Sequence, residues 1–118
     1  MNIEELRAYL LSKKAVSESF PFDEKTLVFK IDTKMFALVP LEKLELSINL
    51  KCNPERAVEL RENYDCIKAG FHMSKKHWNT IHINGMLSKA QIHELIDHSY
   101  ELVFNNLTKK KQHEINHS

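Results

Sequence analysis

The side chains best suited to chemistry gather in one stretch, Gly70-Phe71-His72-Met73-Ser74-Lys75-Lys76-His77-Trp78-Asn79-Thr80, which combines cations, imidazoles and the single tryptophan of the chain. Between Asp65 and Glu94 there is no acid, while Lys68, Lys75, Lys76 and Lys89 lie inside that interval. Cations without nearby counter-ions suit phosphate, and an aromatic ring or imidazole suits a sugar or base. If residues 76–83 are extended, Lys76, Trp78, Thr80 and His82 point to one side; Lys75, His77, Asn79, Ile81 and Ile83 point to the other. Ile81 and Ile83 belong in a core, which assigns the tryptophan side to solvent or a partner. The functional expectation is a nucleic-acid surface on which Lys51, Lys68, Lys75 and Lys76 meet phosphates while His72, His77 and Trp78 frame the contact. The plainer reading, which the local residues alone favour, has Trp78 plugging the edge of a small core and the lysines solvating a loop.

Other chemistries find less support. The three arginines, Arg7, Arg56 and Arg61, all lie outside the stretch, so bidentate base recognition is not expected and any binding should be electrostatic and weakly sequence-selective. His72, His77 and His82 recur every five residues, a spacing that fits neither one helical face nor one strand face, and no metal or other cofactor is expected. His93, Asp97 and Glu101 at i, i+4 read as a solvated helical stripe. There is no glycine-rich phosphate loop and no GxSxG elbow, and Cys52 and Cys66 sit in no nucleophile motif; a small buried hydrophobe is the ordinary role of such a cysteine. The expectation is a protein that is not an enzyme. The alternative to DNA is a protein-interaction or small-ligand module using the Trp78 face.

These residues must be positioned by a fold. Ile3, Leu6, Leu10 and Leu11 predict a first helix capped by Asn2 with Glu5 in a capping box. Phe20-Pro21-Phe22 reads as an edge segment or bend. Leu27–Ile31 and Met35–Val39 predict two strands around a tight turn at Asp32-Thr33-Lys34, and the alternation of Leu44, Leu46, Ile48 and Leu50 with polar residues predicts a third. Asn53-Pro54-Glu55 opens a second helix ending near Tyr64, and Trp78–Ile83 gives another strand closed by Asn84-Gly85. Ser88 and Gln91 cap a long last helix with an apolar stripe from Ile92 to Leu107, after which Lys109, Lys110 and Lys111 begin a polar tail, residues 109–118, expected to fray. The order predicts an α+β fold, an antiparallel sheet packed with three helices in a single domain over residues 1–108.

At 118 residues, 42% hydrophobic and 28% charged, the chain has the size and composition of one globular domain. The net charge of +1 hides a local asymmetry: residues 1–65 carry ten Lys/Arg against twelve Asp/Glu, and residues 66–118 carry seven against four. No apolar run approaches the roughly 20 residues that cross a bilayer, and the start Met1-Asn2-Ile3-Glu4-Glu5 is unlike a secretory signal. With two cysteines outside any disulfide framework, a cytoplasmic setting is expected, without membrane association.

The sequence also resembles the MmcQ/YjbR family from Phe20 to about Leu107. The likeness rests on Phe20-Pro21-Phe22, Leu27-Val28-Phe29-Lys30, Lys34-Met35-Phe36-Ala37 and Asn49-Leu50-Lys51-Cys52 before Pro54. Its most specific parts are His72 to Thr80 and Asp97-His98-Ser99-Tyr100-Glu101-Leu102-Val103; Ser74 stands where the family pattern leads one to expect asparagine. The resemblance implies a compact α+β fold similar to CyaY, also described as double-wing, and a bacterial DNA-binding protein. Frataxin-like iron handling is not carried over, because the first helix offers only Glu4 and Glu5 where a dense acidic surface is needed.

Overall fold

The computed structural model describes residues 1–70 and 73–118. Four helices and six strands follow the order α1 (Ile3–Leu11), β1 (Val16–Ser19), β2 (Thr26–Ile31), β3 (Lys34–Pro40), β4 (Ser47–Lys51), α2 (Pro54–Asn63), β5 (Ile67–Ala69), β6 (Trp78–His82), α3 (Lys89–Asn105) and α4 (Lys109–Asn116). The strands form one antiparallel sheet in the order β1-β2-β3-β4-β6-β5. The protein is a single α+β domain.

Local chemistry sets most of the boundaries. Glu5 N–H donates to Asn2 Oδ1 at 2.8 Å and Ser88 caps α3 through Gln91, each completing a capping box. Asn53 Oδ1 accepts from Glu55 and Arg56 N–H at 3.0 and 3.2 Å, with Pro54 in the first turn where its missing N–H costs nothing. Asp32, at φ +58°, takes the left-handed position of the β2–β3 turn, a conformation that aspartate tolerates better than most residues.

The helices all lie on one face of the sheet. Leu6 and Leu10 from α1, Ile92, Leu95, Ile96 and Val103 from α3, and Ile115 from α4 pack on Phe29, Phe36, Ile48, Ile67 and Ile81 in the main core. Strand alternation sends Val28, Leu38 and Trp78 to the opposite face, where they form a second, smaller cluster with the half-buried Met35 and Met73.

Two expectations need correction. The strand foreseen from Leu44 begins only at Ser47, and Leu44 is fully exposed. β6 ends opposite Ser47, and its last cross-strand bond, Ile83 N–H to the Leu46 carbonyl at 2.8 Å, leaves residues before Leu46 no partner strand. The chain after Leu107 does not fray but forms α4, a fourth helix. Thr108 Oγ1 accepts from Lys111 N–H at 3.1 Å, and Ile115 is buried in the core. Three consecutive lysines disguise this helix, whose tertiary anchor is one apolar side chain and which no period announces.

Candidate nucleic-acid interface

The lysine turn is built by its backbone. Trp78 and His77 N–H donate to the Ser74 carbonyl at 2.9 and 3.2 Å, closing a turn that carries Lys75 and Lys76 outward. It is tied down on two sides. Cys52 N–H donates to the His77 carbonyl at 2.8 Å, and Arg61 Nη1 on α2 donates to the Lys75 carbonyl at 3.1 Å.

Trp78 follows directly, and its surroundings favour the plainer reading, a ring that plugs a small core, over an exposed one. Alternation separates the faces as foreseen, with Asn79 and Ile81 on the helix side and Trp78 and Thr80 on the other. Yet Trp78 is only 8% exposed, packed with Val28 and Leu38, and Thr80 is buried while donating a short hydrogen bond to Asn49. Facing away from the main core does not mean facing water, because the second face of the sheet has its own apolar plug. Gly70 is part of that plug. Its N–H donates to the Trp78 carbonyl at 2.9 Å, and a Cβ there would sit 2.8 Å from Trp78 Cβ and 3.0 Å from its carbonyl oxygen, so the close approach of the two backbones needs glycine.

Residues directly opposite on antiparallel strands share a face. The register therefore lines up Ser19, Val28, Leu38, Asn49, Thr80 and Lys68 across all six strands of the helix-free side, flanked by Lys30 opposite Ser17 and Met35, and by Lys51 opposite Trp78. Among the described residues, Glu18 is the only carboxylate in any strand, and it lies on the helix side, paired with Arg7 of α1. The helix-free strand face is thus acid-free and carries Lys30, Lys51 and Lys68. A strand spacing of about 4.8 Å sets the Lys30, Lys51 and Lys68 strands roughly 10 Å apart in succession. None of these three, nor Lys75 or Lys76, forms an ion pair among the described residues.

Of the residues singled out from sequence, Lys51, Lys68, Lys75 and Lys76 lie on or beside this face, His77 is half-buried at its end, and Trp78 supports it from within. His72 lies outside the described residues. Lys30 was missed. Its signal was its place between Phe29 and Ile31, two residues that belong to the core.

The second specific segment behaves otherwise. Asp97 accepts from Tyr9 Oη at 2.6 Å and from Lys13 Nζ at 2.5 Å, binding α3 to α1. Burial pushes its carboxyl upward, but the hydrogen bonds from Lys13 and Tyr9 outweigh this and hold it below the usual carboxylate range. Burial and the bond to Asp97 in turn push the Tyr9 phenol up to about 12. His98 Nε2 accepts from Asn53 N–H at 3.1 Å, which requires an unprotonated nitrogen; burial, with Arg56 nearby, lowers its pKa. Ser99, fully buried, donates to the Phe36 carbonyl at 2.6 Å and accepts from Lys51 N–H at 2.9 Å, pinning β3 and β4 to α3. Tyr100 donates to the Lys14 carbonyl at 2.7 Å. Asp97 therefore belongs to a tertiary clamp and not to the solvated stripe expected from its spacing.

Burial pushes the Cys52 and Cys66 thiols up, opposite to the shift that activates a cysteine. Among the described residues, no three His, Cys, Asp or Glu side chains converge as metal ligands would.

The chain is similar to known proteins over nearly its whole length. The YjbR family model matches residues 11–102. The chain belongs to the YjbR family. Among curated relatives, the uncharacterized YjbR of Escherichia coli K12 is 32% identical over 112 residues, covering 95% of each chain. The uncharacterized YbdF of Escherichia coli O157:H7 is 37% identical over 93 residues, covering 79% of this chain and 76% of its own. The crystal structure of Deinococcus radiodurans protein DR2400, with a DUF419 domain, matches with a TM-score of 0.92 at 35% identity, over 98% of this chain and 88% of its own. A Pseudomonas syringae crystal structure matches with a TM-score of 0.75 at 31% identity, over 87% of this chain and 99% of its own.

Proposed function

We propose that this member of the YjbR family is a non-catalytic DNA-binding protein that holds the phosphate backbone against its helix-free sheet face. The observation that carries the reading is the acid-free face itself: among the described residues Lys30, Lys51 and Lys68 stand on it without ion-pair partners, beside the anchored Lys75–Lys76 turn. Unpaired lysines on a fixed surface retain their full attraction for phosphate, and release of DNA counter-ions supplies the driving force.

The same side chains argue for weak sequence selectivity. Each arginine is already engaged: Arg7 with Glu18, Arg56 with Glu94, and Arg61 with the Lys75 carbonyl. With Trp78 packed into the sheet, base stacking is not available, and contact falls to lysines that read charge and spacing more than base edges. The packed ring likewise disfavours the reading in which Trp78 anchors a protein or small ligand.

Titration of duplex DNA at several salt concentrations tests the proposal. Three to five phosphate contacts give a log–log salt slope of roughly −3 to −5, with similar affinity for unrelated sequences. Absence of binding at low salt, or an affinity that ignores salt, would overturn it.

A further inference from the structure

Six large apolar side chains are well exposed among the described residues, and five of them gather at one end of the sheet. Phe20 and Phe22 lie in the β1–β2 connection, Leu41 and Leu44 in the β3–β4 connection, and Met86 between β6 and α3; Val58 on α2 is the sixth. The antiparallel order brings these three connections together. Leu41 N–H donates to the Lys25 carbonyl at 2.7 Å, Lys25 Nζ pairs with Glu42 at 3.4 Å, and Ile83 N–H donates to the Leu46 carbonyl at 2.8 Å. Phe22 is 65% exposed and Leu44 is fully exposed, so neither contributes to the core. Asp23, Glu24, Glu42 and Glu45 outnumber Lys25 and Lys43 at this end; with Lys25 and Glu42 paired to each other, three carboxylates face one lysine. An exposed apolar patch within a charged rim marks an interaction site.

We propose that this end of the sheet docks a cationic amphipathic segment of another protein. Its apolar side chains would cover Phe22, Leu44 and their neighbours while flanking Lys or Arg residues meet the carboxylate rim. Charge decides among the occupants. A two-fold contact between copies would bring the patch onto itself and face Asp23, Glu24, Glu42 and Glu45 with like charge. A head-to-tail contact needs a second apolar patch, and outside this end Val58 is the only exposed large apolar side chain among the described residues. An anionic lipid surface would be repelled by the same rim. The docking end lies at the opposite end of the strands from Lys51 and the Lys75–Lys76 turn, so it stands independently of the DNA reading.

The probe is a fluorescent helical peptide of leucine and lysine in amphipathic spacing, followed by anisotropy with the full chain. A peptide of identical spacing with glutamate for lysine serves as its counterpart. The Leu/Lys peptide should bind and the Leu/Glu peptide should not. Phe22→Ser with Leu44→Ser should weaken binding about tenfold, as loss of central apolar anchors does, whereas Val58→Ser should leave it unchanged. Glu42→Lys with Glu45→Lys should reverse the preference between the two peptides. In case a variant does not fold, amide shifts of the unsubstituted protein locate the peptide; they should concentrate in residues 20–25, 41–46 and 83–88. Equal binding of both peptides, shifts elsewhere, binding untouched by the serine substitutions in folded protein, or a dimer in sedimentation that those substitutions dissolve would each overturn the proposal.

Discussion

The Ser74–His77 turn and the Asp97–Tyr100 run on α3 are similarly rich in polar side chains but use them in opposite ways. In the turn, the backbone makes the bonds: the Ser74, Lys75 and His77 carbonyls all accept, and the lysine side chains form no ion pair among the described residues. In α3 the helix already satisfies its own interior backbone, so four consecutive side chains are available to reach Tyr9, Lys13, Asn53, Phe36, Lys51 and Lys14. Both stretches stand out equally in the sequence. One presents charge outward from a fixed turn; the other holds the domain together.

The largest expected effect tests whether Trp78 belongs with the scaffold. Trp78→Ala should cost about 3–5 kcal/mol, the usual range for emptying a buried aromatic site, read as a lower midpoint in urea denaturation. A loss below about 1 kcal/mol, outside that range, accompanied by loss of DNA affinity, would move the ring to the contact surface.

Next comes the clamp. Ser99→Ala removes an acceptor from Lys51 N–H and a donor from the Phe36 carbonyl in a site with no access to water. With about 1–3 kcal/mol for each of the two buried groups left unpaired, a loss of roughly 2–6 kcal/mol is expected. DNA affinity measured on the remaining folded protein should be unchanged, since Ser99 presents nothing to solvent. A variant as stable as the parent would show that the two backbone groups find other partners.

The family-specific segments were legible in the sequence as a pair; their division of labour was not. Caps announce themselves through residues three apart, as in Asn2–Glu5 and Ser88–Gln91, and alternation announces the faces of β4 and β6. The acid-free interval was legible too, and the structure extends it into a sheet face that includes Lys30. The bonds of Ser99 and His98 were not, because their partners lie 63 and 45 residues away and are backbone groups, which carry no residue-type signal. That Trp78 plugs a small core was the plainer reading of its local residues; its partners Val28 and Leu38, from two other strands, were not legible, and α4 needed a place in the core for Ile115. Local patterns fix which way a side chain points; only the assembled register fixes what it meets.

Acid should weaken the clamp in two stages. Burial lowers the folded pKa of His98 from 6.5, so the unfolded chain takes up its proton first as pH falls. Its contribution is complete above pH 6.5 and is lost as pH falls from there through the lower folded value, by at most about 1.4 kcal/mol per pH unit for one proton. Asp97, held below its ordinary 3.8, adds a second loss only below that pH. His98→Gln should flatten the first stage and leave the second. An unchanged profile between pH 5 and 6.5 would mean that another group carries the first stage.

The smallest effect on stability is expected where the effect on binding is large. Lys75→Ala with Lys76→Ala removes two exposed side chains whose backbone positions are held by Ser74, Cys52 and Arg61. Neither ammonium forms an ion pair among the described residues, so unfolding free energy should stay within about 0.5 kcal/mol of the parent, as surface substitutions usually do. The magnitude of the DNA salt slope should fall by about 2, because each lysine removed releases roughly one counter-ion fewer. Lys51→Ala with Lys68→Ala should lower it by a similar amount if the turn and the sheet face act as one surface. A full parental slope in both double variants would leave the acid-free face without a role in binding. Loss in the turn variant alone would confine the interface to residues 74–77, where backbone carbonyls accept from Cys52, Arg61 and Trp78 while the lysine side chains form no ion pair among the described residues.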